Sequence, residues 1–215
     1  MTAPPPAPVR PVADTWAELA AEMSGCVACD LAESRTRVVP GVRPPAARVL
    51  LVGEAPGREE DLGGLPFVGR SGRLLDELLE AAGLVRSELA VVNTVKCRPP
   101  GNRTPRRREA ATCRGWLDAQ VSVVDPAVVV TLGGSALAWA LGPGRRLGTE
   151  RGRVHRLTLR STSDGGERTY DLVPSYHPAA ALRFGPAGEP RAALAADLEL
   201  VARLAAKKRA ARAGG

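Results

Sequence analysis

The sequence has few aromatic residues, only two histidines and no long apolar run. Because aromatic residues make up 3% of the 215 residues, each of them is expected to occupy a specific place. No segment approaches the roughly 20 apolar residues of a membrane-spanning helix, which excludes that class of membrane protein. The start, MTAPPPAPVRPVADTW, lacks the apolar core of a signal peptide. We therefore expect a cytoplasmic protein with no membrane partner.

Acidic residues are outnumbered by basic ones. The chain has 30 lysines and arginines against 23 aspartates and glutamates, which gives a net charge of +7. A basic protein of this kind favours polyanionic partners, and nucleic acid is the first expectation. The length suffices for one well-filled hydrophobic core, so a single domain is expected.

Cysteine is also scarce, but its arrangement is informative. The four cysteines are Cys26, Cys29, Cys97 and Cys113. Four thiolates complete one ligand shell for a metal ion or an iron–sulfur cluster, and Lys96 and Arg98 beside Cys97 favour the thiolate form. A reducing compartment disfavours disulfides. The spacing itself does not choose among a zinc ion, a cluster and two disulfides.

Short apolar segments alternate with amphipathic segments along the chain. Strands are predicted at 49–53, 89–95, 128–132, 153–159 and 169–173. Helices are predicted at 14–25, 71–82, 106–121, 135–141 and 191–212. Such alternation predicts an α/β fold, namely a three-layer α/β/α sandwich with a central, mainly parallel four-stranded sheet in a single domain.

The two ends of the chain differ in composition from the segment between them. Residues 1–13 hold five prolines and no apolar periodicity, which predicts a disordered Pro-rich lead. Residues 14–205 are assigned to the folded domain, and residues 206–215 to a basic disordered tail.

Polar groups follow three of the predicted strands directly. The segments are Gly53-Glu54-Ala55-Pro56-Gly57, Asn93-Thr94-Val95-Lys96-Cys97 and Pro174-Ser175-Tyr176-His177-Pro178. In open α/β sheets, ligands bind beyond the carboxyl ends of the strands. We therefore expect these three segments to converge on one functional site.

Three motifs carry a resemblance to a known family. GEAPGREEDLGGLPFVGRSGRLLDELL (53–79), NTVKCRPPGNRTP (93–105) and SYHPAAALR (175–183) resemble the iron–sulfur uracil-DNA glycosylases, family 4 of their superfamily. The resemblance covers roughly residues 14–205, and the four cysteines fall where that family places the ligands of a [4Fe-4S] cluster. It implies a monomeric, monofunctional DNA repair hydrolase that releases uracil from single- or double-stranded DNA and leaves an abasic site. The cluster is expected to be structural.

The resemblance also assigns roles to single residues. Glu54 matches the carboxylate that orients or activates water and supports the cationic sugar, and His177 matches the imidazole at uracil O2. Phe67 matches the ring that stacks on the extruded uracil, and Asn93 matches the amide that reads the base. A side-chain amide has both a donor and an acceptor, which pairs with uracil O4 and N3–H and disfavours cytosine.

Further positions are assigned to the base pocket and to DNA. Ala55 and Gly57 stand where the cluster-free branch carries an aspartate and a tyrosine, so they are expected to border the substrate. The expected DNA contacts are Ser71, Arg103, Arg106, Leu182 and Arg183. Leu182 is the preferred candidate for a wedge that fills the vacated stack, with Ala181 as the alternative.

Two other classes of function stay open at this level. One is a non-catalytic protein that senses uracil or damage in DNA with the same cleft. The other is a zinc-stabilised small-molecule or nucleotide enzyme of flavodoxin-like shape. Release of free uracil and the absorption of an iron–sulfur cluster would separate these from a glycosylase.

Overall fold

The structure is a computed structural model that describes residues 15–161 and 165–213. The predicted Pro-rich lead at 1–13 lies outside the described residues. No helix in the described ranges is both long and apolar enough to cross a bilayer.

A five-stranded sheet forms the centre of the fold. The strands are β1 (Val49–Gly53), β2 (Ala90–Asn93), β3 (Val128–Leu132), β4 (His155–Arg160) and β5 (Glu167–Ser175). Their order is β2-β1-β3-β5-β4, with all neighbours parallel except β4, which runs antiparallel to β5. The predicted count of four was therefore wrong by one strand. An antiparallel edge strand joins such a sheet through a hairpin and needs no crossover helix.

Helices cover both faces of the sheet. They are α1 (Trp16–Ser24), α2 (Leu31–Ser34), α3 (Arg58–Gly63), α4 (Arg70–Ala81), α5 (Arg107–Val124), α6 (Gly134–Leu141), α7 (Leu147–Glu150), α8 (Pro178–Phe184) and α9 (Glu189–Ala213). The short helices α3 and α8 were not predicted. Residues 58–63 are mostly charged and lack apolar periodicity, so their pattern does not indicate a helix. Residues 178–184 do carry a signal, because they begin at a proline, which is a favourable first helical residue.

Helix α9 continues to Ala213, in agreement with the helix predicted at 191–212, so the segment 206–213 of the predicted tail is helical. Alanine, lysine and arginine are strong helix formers, and no glycine or proline interrupts them before Gly214. Lys208 also anchors this end, because its Nζ pairs with Asp171 at 2.7 Å and donates to the Ala127 carbonyl at 3.0 Å.

Two apolar cores lie between the sheet and the helices that pack on its two faces. On one face, strand residues such as Leu51 and Val130 pack in a core with α4 and α9. On the other face, residues such as Leu50 and Val129 pack in a core with α5 and α6. A third cluster joins α1 and α2 to the outer side of α5. The three-layer α/β/α architecture predicted from the sequence is confirmed.

Gly72 permits the closest approach between α4 and the loop before it. A Cβ built on Gly72 would lie 1.8 Å from the carbonyl oxygen of Phe67. We expect Gly72→Ala to lower the free energy of unfolding by about 2 to 3 kcal/mol, because the backbone must move to relieve this overlap. Chemical denaturation measures the change. Gly63→Ala is the control, since nothing lies within 4 Å of its Cβ position; equal stability of the two variants would contradict the prediction.

Candidate functional site

A cleft of about 490 Å³ opens beyond the carboxyl ends of β1, β2, β3 and β5. The sequence-predicted residues that line it are Glu54, Ala55, Gly57, Phe67, Ser71, Asn93, Arg103, His177 and Arg183. The convergence follows from the fold, because the parallel strands all end at this edge of the sheet. Arg106 and Leu182 are not part of the lining.

The Glu54 carboxylate is held by a residue that sequence reasoning missed. Ser135, in the first turn of α6, donates its hydroxyl to Glu54 Oε2 at 2.6 Å. The Glu54 main-chain carbonyl accepts a second hydroxyl, from Thr94 Oγ1, at 2.6 Å. Both the backbone and one carboxylate oxygen are thus fixed. The signal in the sequence was a serine after two glycines at the end of β3.

His177 has a defined tautomer when it is neutral. It precedes α8, and its Nδ1 accepts the main-chain N–H of Ala179 at 3.1 Å. With Nδ1 acting as an acceptor, the proton of the neutral ring lies on Nε2. Burial lowers the pKa of His177, and the nearby Glu54 and Glu60 carboxylates oppose this shift. The ring therefore provides a neutral N–H donor to the cleft.

Phe67 forms one wall of the cleft in an unusual backbone conformation. Its φ is 55°, in the left-handed region, and the residue is 6% exposed. The ring stacks on His177, with centroids 5.5 Å apart and planes 29° apart. Gly53 makes this packing possible, because a Cβ there would lie 2.6 Å from Phe67 Cζ and 2.4 Å from Asn93 Oδ1.

Glu60 joins the two loops that carry Glu54 and Phe67. Its carboxylate is buried and accepts three main-chain N–H groups, from Gly57 at 3.0 Å and from Val68 and Gly69 at 2.9 Å. Sequence reasoning missed this role, although Glu60 stands three residues after the N-cap Gly57, as in a capping box. The contact fixes the shape of the cleft rim.

A buried acid on α9 positions the strand that precedes His177. Asp197 is 1% exposed, accepts the Ser175 hydroxyl at 2.6 Å and pairs with Arg151 at 3.0 Å. Sequence reasoning missed this network. The available signal was an acidic residue on the face of α9 that buries Leu194, Leu198 and Val201.

The two predicted arginines of the 98–106 loop are not free cations. Arg103 lines the cleft, but its guanidinium binds the fully buried Glu109 through two hydrogen bonds of 2.7 and 2.8 Å. Arg106 lies outside the cleft as the N-cap of α5, with Nη1 3.9 Å from Asp30. Of the two, only Arg103 borders the cleft, where it also fastens the loop to α5.

The structure separates the two candidates for a wedge. Ala181 is 2% exposed and packs in the core, whereas Leu182 on α8 is 38% exposed. Leu182 is therefore the one whose side chain is available at the surface beside the cleft residue Arg183. Phe184, which was not predicted, is 64% exposed on the same short helix.

The four cysteines line one pocket with a free volume of about 20 Å³, which we call the cysteine pocket. Among the described residues, no three His, Cys, Asp or Glu side chains are placed to hold a single metal ion. Thiolates around one zinc ion would lie about 3.8 Å apart, given Zn–S bonds near 2.3 Å. In a cluster each thiolate binds a different iron, so the sulfurs lie further apart. Four thiols that line one pocket are a donor set that an iron–sulfur cluster can use.

Two hydrogen-bond donors also fit a sulfur-rich centre in this pocket. Arg35 Nη1 donates to Cys97 Sγ at 3.3 Å. Trp116 lines the pocket, and its buried Nε1–H has no hydrogen-bond partner among the described residues. Burial raises the pKa of Cys97, and that of Cys113 to about 12, so a cationic metal centre is needed to keep these groups as thiolates.

Comparison with known proteins identifies relatives of the chain. Residues 40–199 match the family model of the Uracil DNA glycosylase superfamily. A type-4 uracil-DNA glycosylase of Thermotoga maritima is 41% identical over 158 residues, which cover 74% of this chain and 78% of the relative. One of Sulfurisphaera tokodaii is 37% identical over 171 residues, 79% of this chain and 76% of the relative. A type-5 uracil-DNA glycosylase of Mycobacterium tuberculosis is 33% identical over 159 residues, 66% of this chain and 58% of the relative.

The titration of His177 tests the geometry of the cleft. Because burial lowers its pKa, the ring should remain neutral, with the proton on Nε2, as the pH falls through the usual value of 6.5. The unfolded chain binds this proton more readily than the folded protein does. The free energy of unfolding should therefore decrease as the pH drops from 6.5 to the folded pKa of His177, and the titration of His177 should not change it above 6.5. Nitrogen-15 NMR of the imidazole ring, with the signals assigned by comparison with His177→Asn, measures the pKa of His177 and the nitrogen that carries the proton. A midpoint at or above 6.5, or a proton on Nδ1, would contradict the assignment.

Proposed function

The chain belongs to the uracil DNA glycosylase superfamily, and we propose that it is a monofunctional uracil-DNA glycosylase of DNA repair. It extrudes uracil from DNA and hydrolyses the bond between uracil N1 and the sugar C1′, which leaves an abasic site. The observation that carries this function is the convergence of a carboxylate, a side-chain amide and an imidazole N–H on one cleft.

The two catalytic groups, Glu54 and His177, match the two charges that develop in the reaction. As the N1–C1′ bond breaks, its electron pair stays on uracil and positive charge builds on the sugar. The Nε2–H of His177 donates to uracil O2 and stabilises the anionic base. Glu54 stabilises the cationic sugar, orients the water that bonds to C1′ and accepts its proton. Since Ser135 binds Oε2, Oε1 is the oxygen left for this water.

Phe67 and Asn93 select the extruded base. The Asn93 amide pairs with uracil O4 and N3–H, and cytosine presents the reversed donor pattern. Asn93 is 2% exposed, so a mismatched base would leave its amide unpaired in a buried place. The Phe67 ring offers a flat apolar surface at the same cleft, beside His177.

The rim of the cleft grips the DNA that flanks the uracil. Extrusion of a base costs a few kcal/mol, which phosphate contacts and a wedge in the vacated stack offset. Ser71 lies in the first turn of α4 and lines the cleft, where main-chain N–H groups favour a phosphate. Leu182 serves as the wedge, and Arg183 beside it contacts the backbone.

The cysteine pocket holds a [4Fe-4S] cluster, with Cys26, Cys29, Cys97 and Cys113 as its ligands. The cluster ties α1 and its following loop to α5 and to the segment after β2, and it supplies folding free energy rather than a reaction step. The convergence of the four cysteines on one pocket supports it, as does the Trp116 Nε1–H, which has no partner in the part of the chain that the structure describes. A monomeric state, a cytoplasmic location and a domain over 14–205 stay predictions.

Uracil release tests the function and the role of Glu54. The wild type should release free uracil from single-stranded and duplex oligonucleotides that contain one uracil. Glu54→Gln should slow single-turnover excision by about 100-fold or more, because it removes the charge that stabilises the sugar cation. Ser135→Ala should slow it by less and add nothing in the Glu54→Gln background. Ser87→Ala, on the opposite edge of the sheet, is the control.

The outcomes separate a glycosylase from a sensor. Tight, salt-sensitive binding of uracil-containing DNA without base release would instead favour a non-catalytic sensor. A Glu54→Gln variant as active as the wild type would contradict the role of Glu54 but not the proposed glycosylase activity.

Loss of one cluster ligand should unfold the region around the cysteine pocket. Cys97→Ser is expected to yield insoluble or unfolded protein without iron, because the pocket forms the centre of the apolar cluster that joins α1, α2 and α5. Iron content, visible absorption and circular dichroism measure this. Ala28→Ser is the control, since Ala28 lines the same pocket without a thiol and should keep its iron. A folded, soluble and iron-free Cys97→Ser protein would contradict the structural role.

A further inference from the structure

Lys96 is a fully buried lysine for which the mechanism above has no use. It is 2% exposed, and its Nζ donates to the main-chain carbonyl of Asn93 at 2.5 Å. A buried ammonium group is costly unless it is hydrogen-bonded and lies near negative charge. An apolar side chain would fill the same space without that cost, so the contacts of Lys96 identify what it contributes.

The carbonyl that Lys96 binds belongs to the residue that reads the base. Strand β2 ends at Asn93, and the N–H groups of Thr94 and Val95 still donate to the carbonyls of Gly53 at 2.9 Å and Glu54 at 3.3 Å. Beyond this point the chain leaves the sheet, and Lys96 reaches back over three residues to the Asn93 carbonyl. The hydrogen bond therefore gives the Asn93–Thr94 peptide a second anchor at its carbonyl, in addition to the N–H that the Gly53 carbonyl binds.

The other neighbours of Lys96 are the cysteines. Lys96 lines the cysteine pocket, and its ammonium group lies within electrostatic reach of Cys97 and Cys113. One side chain thus touches both the cluster-binding region and the backbone of Asn93.

We infer that Lys96 is a positioning residue that holds Asn93 in the orientation required to pair with uracil, and that it connects the cysteine pocket to base recognition. The inference rests on the proposed function. A displacement of about 1 Å in a substrate-positioning group lowers reaction rates by about 100-fold, which makes this single hydrogen bond sufficient to matter. Lys96 itself touches neither the base nor the sugar.

Lys96→Met tests the inference, since it keeps the length of the side chain and removes the donor. Single-turnover excision should fall by about 10- to 100-fold and inhibition by free uracil should weaken, while iron content and affinity for uracil-free DNA stay at wild-type values. In an Asn93→Ala background the substitution should cost nothing further, because Lys96 acts through Asn93. Lys207→Met, at an exposed position of α9, is the control.

Each outcome bears on the inference. Excision by Lys96→Met at the wild-type rate, or a full additional loss in the Asn93→Ala background, would overturn it. Loss of iron in Lys96→Met and also in Lys96→Gln, with Asn93→Ala still iron-replete, would likewise overturn it, because Lys96 would then serve the cluster alone. A wild-type protein that releases no uracil would instead refute the proposed function.

Discussion

The cleft depends on one buried carboxylate, that of Glu60. Its two oxygens accept three main-chain N–H groups from two loops, so the GEAPG segment after β1 and the segment after Phe67 form one rigid rim. Hydrogen bonds from main-chain amides to a carboxylate are among the stronger ones in proteins. Two of the hydrogen bonds to Glu60 come from the residues directly after Phe67, whose backbone is in the left-handed region. The next acid, Asp61, extends the arrangement by accepting the N–H of Thr36 at 2.9 Å.

In the rest of the site, too, each functional residue is oriented by a hydrogen bond from a supporting residue. Ser135 fixes the carboxylate of Glu54, Ala179 fixes the tautomer of His177, and Lys96 fixes the carbonyl of Asn93. Catalysis by charge stabilisation needs such preorganisation, because side chains that must reorient during the reaction lose the advantage over water. The parallel sheet brings the reacting groups to one edge, and these contacts set their orientation.

The sequence predicts the layers of the fold and the groups of the site, but not the contacts between them. Apolar strands and polar strand ends are local patterns, so the sequence alone suffices to assign Glu54, Asn93 and His177 to one edge of the sheet. The strand at 153–159 was predicted but not counted in the sheet, which it joins as the antiparallel edge strand β4, and the helix predicted at 191–212 extends into the segment assigned to the tail. Ser135 and Asp197 act on residues 81 and 22 positions away, and such pairings leave no local pattern.

The central claim is that the cleft is prebuilt for an extruded uracil by the contacts of Glu60. The most direct measurement is the single-turnover rate of uracil excision by Glu60→Gln, compared with the wild type on the same single-stranded oligonucleotide. The amide would turn its NH2 group toward a main-chain N–H and break the rim. The account predicts a folded, iron-replete protein that excises uracil about 10- to 100-fold more slowly. Excision at the wild-type rate would contradict it.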